Sequence, residues 1–430
     1  MEVVKTSRKH FTTNPLKMSQ PLGGALAFLG LKGAMPLFHG SQGCTAFAKT
    51  LLVKHFREAI PLQTTALTEV TTILGGTDNL HGALRSLIKN QHPQIIGVMS
   101  TGLTETKGED LFGDVLSFHT QNPEFADTAI VPVSTPDFKG SLEDGFGGAV
   151  LAIVHDLIQT PVPKRSGQIN LIAGSHLAAG DLDLIRDACS AYGLSTIILP
   201  DLGSSLDGHL GDGFSAVTVG GTSVDEILDM AGSEATLAVG ASVLPAARLL
   251  KERFNIPAIP FDRLTGLEPS DRFHKTLSQI SGRAIPEKFR RQRGRLLDAM
   301  LDCHFFFSGK SVAVALESDF LFALMSFFHE MGAGSLLGVA PTMTPLLNEM
   351  PAGRILIGDL MDLEREAKDA DLLVSNSHGR HAAMRLGKSL LRRGIPVFDK
   401  LGNAYRVSVL YPGTMDLLFE AGNLLMEAEH

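Results

Sequence analysis

Residues 34–47 read Ala34-Met-Pro-Leu-Phe-His-Gly-Ser-Gln-Gly-Cys44-Thr-Ala-Phe47: an apolar run, a turn holding two glycines, and the opening of a helix. An apolar run with no polar alternation is what a strand covered on both faces requires. Similar runs lie at 34–38, 95–99, 130–133, 169–173, 196–199, 235–239, 311–316, 336–340, 354–357 and 372–374, each closed within a few residues by Gly, Ser, Pro or Asp. Between them, helical periodicity marks 181–192, 224–231, 246–254, 286–307, 320–331 and 380–393. Strand, glycine turn and helix therefore alternate, which is the pattern of an α/β fold with doubly wound parallel sheets.

A chain of 430 residues exceeds what one compact core usually holds. The stretch 159–167 combines Pro161, Pro163, Lys164, Arg165 and Gly167 ahead of a new apolar run, and so reads as a boundary. A second boundary is expected near the long helix at 287–307. The expectation is three Rossmann-like domains, at 1–160, 168–285 and 286–430, with the clefts between them as default ligand sites.

The net charge of −8 and the lack of an extended Lys/Arg stripe argue against nucleic acid as a partner. The densest basic patch, Lys288, Arg290, Arg291, Arg293 and Arg295, has the spacing of a solvated helix face. The most apolar early stretch, 23–38, is interrupted by Lys32 and Pro36, short of the ~18–20 apolar residues of a membrane span. A soluble cytoplasmic protein is expected. The three cysteines, Cys44, Cys189 and Cys303, include no CxxC pair, which excludes a disulfide framework and a complete four-cysteine cluster site in this chain.

Cys44 sits in a glycine-rich turn before a helix, where exposed N–H groups can donate to a thiolate or to cluster sulfurs. A small buried cysteine is the alternative. His39 and His55 could orient a cluster or relay a proton, or could be hydrogen-bonded structural residues. Cys189 and Cys303 fall on helices as core filler. Two segments, Ser308-Gly-Lys-Ser311 and Leu386-Gly-Lys-Ser389, resemble phosphate loops, but His304 and Ala382 occupy the place of the required first glycine. Ser375-Asn-Ser-His-Gly-Arg-His381 follows a strand and opens a helix, a geometry that can hold an anion, with His378 and His381 three residues apart. A polar turn without a ligand is the other reading.

Longer motifs add to this. Asn14-Pro-Leu-Lys-Met-Ser-Gln-Pro-Leu-Gly-Gly24, the 39–44 turn, Lys54-His-Phe-Arg-Glu58, and 63–69 ahead of Gly75-Gly76 occur in order. Ser100-Thr-Gly-Leu-Thr-Glu105 and Thr135-Pro-Asp-Phe138 follow them. Together they resemble the nitrogenase component-one family, densely over 14–141. In that family the catalytic β subunit surrounds its large cluster with three cysteines and a serine. By the resemblance, the cysteine positions are Ser19, Cys44 and Gly102 here, and the serine position is Asp137. Glycine offers no ligand, and Ser or Asp is a harder donor than iron–sulfur clusters prefer.

One thiolate of three remains, so the resemblance implies a β-type subunit of a cofactor-assembly scaffold. Cys44 would then be a metal ligand to a 4Fe–4S cluster shared with a NifE-like partner chain. It further implies a heterotetramer with two copies of each chain, transient docking of a NifH-like iron protein and of a precursor donor, and an iron–molybdenum cofactor precursor held mainly by the partner. An assembly scaffold is expected before an independent catalyst. Two alternatives stay open: a redox-active subunit of a nitrogenase-like reductase, and a free-standing α/β anion-binding protein with Cys44 buried.

Overall fold

The computed structural model describes residues 4–7, 9, 12, 14–210, 213–351 and 353–428; of the basic 1–10 stretch, residues 1–3, 8 and 10 lie outside the described residues. In chain order the strands are β1 (Lys5–Thr6), β2 (Ala34–His39), β3 (Gln63–Thr64), β4 (Ile95–Ser100), β5 (Ala129–Val133), β6 (Gln168–Ala173), β7 (Ser195–Leu199), β8 (Ala235–Val239), β9 (Ala258–Phe261), β10 (Ser311–Ala315), β11 (Ser335–Ala340), β12 (Arg354–Ile357), β13 (Leu372–Ser375) and β14 (Ser389–Arg392). They form three sheets, ordered β3-β2-β4-β5, β7-β6-β8-β9 and β1-β12-β11-β10-β13-β14, in which every pairing is parallel. The fold is the α/β class that the alternation of runs and turns predicts.

All ten apolar runs are strands. β2, β4 and β6 are buried along their whole length, as strands covered by helices on both faces must be. β1, formed by the first paired residues, adds to the edge of the third sheet beside β12.

Helical periodicity over 380–393 does not produce one helix. The helix Arg380–Leu386 ends at Gly387, whose φ of +64° is the left-handed conformation that glycine adopts without a Cβ clash. Ser389–Arg392 then pairs with β13 as the edge strand β14, burying Leu390 and Leu391.

Each sheet reverses its strand order next to its first long strand, and such switch points leave crevices at the carboxyl ends. In the first sheet the switch lies between β2 and β4, so the turns after these two strands flank one crevice. The helix Gln20–Leu29, buried at every residue, packs on the helix Leu142–Leu157 behind that sheet. Their approach depends on glycine: a Cβ on Gly23 would collide with the Leu142 carbonyl oxygen, and one on Gly145 with that of Gln20. Among the described residues, no helix is long and apolar enough to cross a membrane.

Candidate functional site

Four loops meet at the carboxyl edge of the first sheet. The turn after β2 leads into the helix Gln42–Phe56, and Cys44 lies in its first turn with its side chain exposed. Ser41 is the N-cap residue but makes no side-chain capping hydrogen bond; its Oγ instead stands 3.7 Å from Cys44 Sγ. The N–H groups of that first turn therefore carry no side-chain cap, and Gly43 has nothing within 4 Å of where a Cβ would stand. Exposure of the thiol excludes the buried-cysteine reading.

Gly102 opens the helix Gly102–Lys107 after β4, and Asp137 follows β5. The Gly102 N–H donates to Asp137 Oδ2 at 3.3 Å, so Asp137 satisfies a helix N-terminus from a neighbouring loop. Burial raises the Asp137 carboxyl pKa above its usual value against the opposing effects of the Gly102 N–H and Lys17, and its Oδ1 has no partner. Lys17 Nζ donates to the Asp137 carbonyl at 3.1 Å, and Gln20 Nε2 donates to that of Lys139 at 2.5 Å. These bonds bring in the fourth segment, where Ser19 caps the helix Gln20–Leu29 by accepting the Leu22 N–H at 3.4 Å.

The turns after β2 and β4 are tied in the same way. Thr101 Oγ1 donates to the His39 carbonyl at 3.0 Å, and a Cβ on Gly40 would strike the Thr101 side chain. Ser19, Cys44, Gly102 and Asp137, which the sequence reading places around one cluster position, thus lie on four loops of one sheet edge.

His39 is buried beneath this edge. Its Nε2 lies 2.8 Å from Glu109 Oε2 and its Nδ1 lies 3.1 Å from Thr65 Oγ1, while burial lowers its pKa against the pull of Glu109. Glu109 also accepts the Gly76 N–H, so the 63–69 and Gly75-Gly76 motifs wrap this histidine. Glu109 is absent from the sequence reading, since its link to His39 spans 70 residues and no local pattern marks it. His55 lies at the far end of the Cys44 helix, where Nδ1 accepts the Val397 N–H at 2.9 Å; burial takes its pKa to about 4. Both histidines are hydrogen-bonded within the protein.

Of the other sequence candidates, Cys189 is fully buried and Cys303 is partly buried against the core, as core filler should be. In the 375–381 turn, Asn376 accepts the His378 N–H at 3.0 Å, and Ser377 Oγ donates to Asp399 and accepts the Phe398 N–H. Its polar groups are largely satisfied within the protein. Ser308–Ser311 precedes β10, as a non-phosphate loop would.

Beside Cys44 the edge exposes large apolar side chains as well as polar ones. Phe47, one helical turn after Cys44, is 68% exposed; Leu103, after Gly102, is 40% exposed; and Phe138, after Asp137, is 65% exposed. Val70 and Ile73 on the adjoining short helix Glu69–Leu74 are also exposed. Large apolar side chains clustered at a functional edge mark an interaction surface.

Comparison with known proteins agrees with this geometry. Residues 19–426 match the family described as nitrogenase component 1 type oxidoreductase. The nitrogenase iron–molybdenum cofactor biosynthesis protein NifN of Nostoc sp. is 49% identical over 429 residues, covering 100% of this chain and 96% of that protein. NifN of Bradyrhizobium diazoefficiens is 47% identical, covering 99% and 92%. A solved structure described as nitrogenase Cp1 at pH 6.5 superposes with a TM-score of 0.91 at 30% identity, over 99% of this chain and 95% of that one. With three parallel sheets, a shared edge of four loops and matches along nearly its full length, this chain belongs to the nitrogenase component 1 family.

Proposed function

We propose that this chain is the β-type subunit of a scaffold complex on which the iron–molybdenum cofactor of nitrogenase is matured, and that Cys44 gives one thiolate to a 4Fe–4S cluster shared with a NifE-like partner. The observation that carries the reading is the exposed Cys44 thiol at an edge where the neighbouring ligand positions are Ser19, Gly102 and Asp137.

The residues present supply one thiolate, Cys44, and one unpartnered oxygen, Asp137 Oδ1, a harder donor than iron–sulfur clusters prefer. Asp137 spends Oδ2 on the Gly102 N–H, Ser19 caps its own helix, and Gly102 has no side chain. Among the described residues, no group of three or more His, Cys, Asp or Glu is placed to hold a metal ion. A four-iron cubane takes four thiolates, so three must come from the partner. Bound there, the cluster would supply one-electron chemistry. This chain's own part is to hold the Cys44 thiol at the edge, to offer uncapped N–H groups beside it, and to bury Phe47, Leu103 and Phe138 against the partner so that water is kept away.

The similarity to NifN proteins supports the scaffold role over that of a free-standing binding protein or a redox-active reductase subunit. A heterotetramer with two copies of each chain, transient docking of a NifH-like iron protein and of the precursor donor, a precursor held mainly by the partner, and a cytoplasmic location complete the reading.

The test is anaerobic co-purification of this chain with a NifE-like subunit, followed by iron counting and electron paramagnetic resonance of wild type and Cys44→Ala. The reading expects a brown complex whose cluster signal is lost or altered in the variant. An unchanged signal removes Cys44 from the ligand set, and a colourless wild-type complex removes the cluster.

A further inference from the structure

His39, the last residue of β2, is fully buried where the Cys44 turn leaves the sheet. Its carbonyl accepts Thr101 Oγ1 at 3.0 Å and Thr104 Oγ1 at 3.3 Å, which flank Gly102 at the start of its helix. The next residue is held from another loop. The Gly40 N–H donates to Thr65 Oγ1 at 3.1 Å, and the Gly40 carbonyl accepts the Leu67 N–H at 2.9 Å and Thr64 Oγ1 at 3.2 Å. Ser41 and Cys44 follow directly, on a helix start that has no side-chain cap. The direction in which the Cys44 turn leaves the sheet is therefore set at residues 39 and 40.

The imidazole is engaged at both nitrogens. Glu109 Oε1 accepts the Gly76 N–H and Lys107 Nζ, each at 3.0 Å, and its Oε2 stands 2.8 Å from His39 Nε2. A carboxylate offers acceptors alone, so Nε2 carries the proton and donates. On the other side, Thr65 Oγ1 already accepts the Gly40 N–H and stands 3.1 Å from Nδ1, so its hydroxyl proton is directed at Nδ1. Burial lowers the pKa of the ring against the pull of Glu109, which keeps a single proton on it and preserves these bond directions.

The surrounding backbone closes tightly on this pair. A Cβ on Gly76 would stand 2.8 Å from both Glu109 Oε2 and His39 Cε1, so glycine lets the Gly75-Gly76 turn lie directly against them. Lys107, paired with Glu109 at 3.0 Å, balances the buried carboxylate from the outer side. The segments 64–67, 75–76, 101–104 and 107–109 are thus all fastened to two adjacent residues, and Cys44 lies four residues beyond the second of them.

We propose that His39 is a positioning residue for the Cys44 thiolate: its Nε2–H bond to Glu109 fixes the turn from which Cys44 reaches the cluster. The inference rests on the proposed role of Cys44 as a cluster ligand. A neutral imidazole spans Glu109 and Thr65 without placing a further charge beneath the edge. Bonds that orient a ligand in this way decide how tightly a metal is held, commonly by about 10–100-fold.

The test compares anaerobically purified complexes of wild type, His39→Ala and His39→Gln with the NifE-like subunit. Gln returns a side-chain N–H for Glu109, whereas Ala returns nothing. Iron release to excess bathophenanthroline should be at least about tenfold faster in His39→Ala, with shifted g-values in electron paramagnetic resonance, and His39→Gln should restore both. In the chain alone, amide hydrogen exchange should quicken at Gly40 and Leu67 in His39→Ala while β6 and β8 keep their protection, which separates a local change from general loosening. If His39→Ala loses that protection, Glu109→Ala removes the acceptor instead and should give the same faster release and shifted signal. Wild-type release and g-values in whichever of these variants is folded, or a Gln variant as impaired as Ala, would overturn the positioning role while leaving the cluster in place. A colourless wild-type complex would remove the cluster, and this inference with it.

Discussion

The backbone N–H of Gly102 donates to the Asp137 carboxylate at 3.3 Å, joining the loops after β4 and β5 at two of the positions that the family resemblance implies for cluster ligands. A side chain at 102 would crowd this pair, since a Cβ there would stand 3.3 Å from the Asp137 Cβ. Glycine and aspartate therefore fit as a pair. Asp137→Ala should cost about 1 kcal/mol in denaturant unfolding, the usual worth of one such hydrogen bond. Asp137→Asn keeps an acceptor for Gly102. Because burial raises the Asp137 pKa, the folded state holds its proton where the unfolded chain has lost it, so ionisation weakens the fold as pH rises above the usual carboxylate range. At pH 7 the Asn variant should then equal or exceed wild type; an Asn variant as unstable as Ala would show that the carboxylate acts otherwise.

The exposed apolar residues beside the candidate ligand positions should govern assembly and leave folding alone. Phe47→Glu and Phe138→Glu are predicted to change the stability of the isolated chain by less than about 0.5 kcal/mol, as solvent-facing substitutions usually do. Each should weaken co-purification with the partner by at least about tenfold, because a carboxylate must then be desolvated at an interface. Analytical ultracentrifugation of mixed subunits measures this, and undiminished association would place the partner on another face.

The three cysteines should react in a fixed order. Cys44 is exposed and should be labelled first by a thiol reagent at pH 8, whereas Cys303 is partly buried with its pKa raised by burial. Cys189 is fully buried with its thiol pushed up to about 11, so it should label only on unfolding. Mass spectrometry of time-quenched samples reads the order. In the cluster-loaded complex Cys44 should become protected while the other two keep their rates.

A carboxylic acid cluster sets a pH dependence. Ser141 Oγ donates to Glu317 at 2.5 Å, and Glu143 accepts the Asp319 N–H at 2.9 Å nearby. Burial, with the charge of Asp144, pushes the Glu317 pKa up to about 8 against the Ser141 hydrogen bond. Between its ordinary value of 4.5 and 8 the folded chain holds a proton that the unfolded chain has released, so stability falls as pH rises through that window. Glu317→Gln stays neutral and keeps an acceptor for Ser141. It should match wild type near pH 4.5 and exceed it by on the order of 4 kcal/mol at pH 8, read from paired denaturant titrations. A variant that tracks wild type at both pH values would mean that Glu317 is ionised in the fold.

The fold class could be read along the chain because parallel strands buried on both faces need continuous apolar runs, and all ten such runs became strands. The four strands that the sequence reading missed, β1, β3, β9 and β14, all lie at sheet edges. An edge strand has one neighbour and more solvent, so its sequence need not carry such a run, although the edge strands β5 and β7 do; Ser389-Leu-Leu-Arg392 could therefore continue the periodicity of the helix before it.

The sequence by itself determined the α/β class, the single candidate thiolate at Cys44 and the family resemblance, because each is written in neighbouring residues. Only the tertiary structure decided that Cys44 is exposed, that Asp137 serves Gly102, that Glu109 holds His39, and that His55 accepts from Val397. The partners in these relationships lie 35 residues apart for Gly102 and Asp137, 70 for His39 and Glu109, and 342 for His55 and Val397. Burial and hydrogen bonding are settled by which strand ends meet, and no local pattern encodes that meeting.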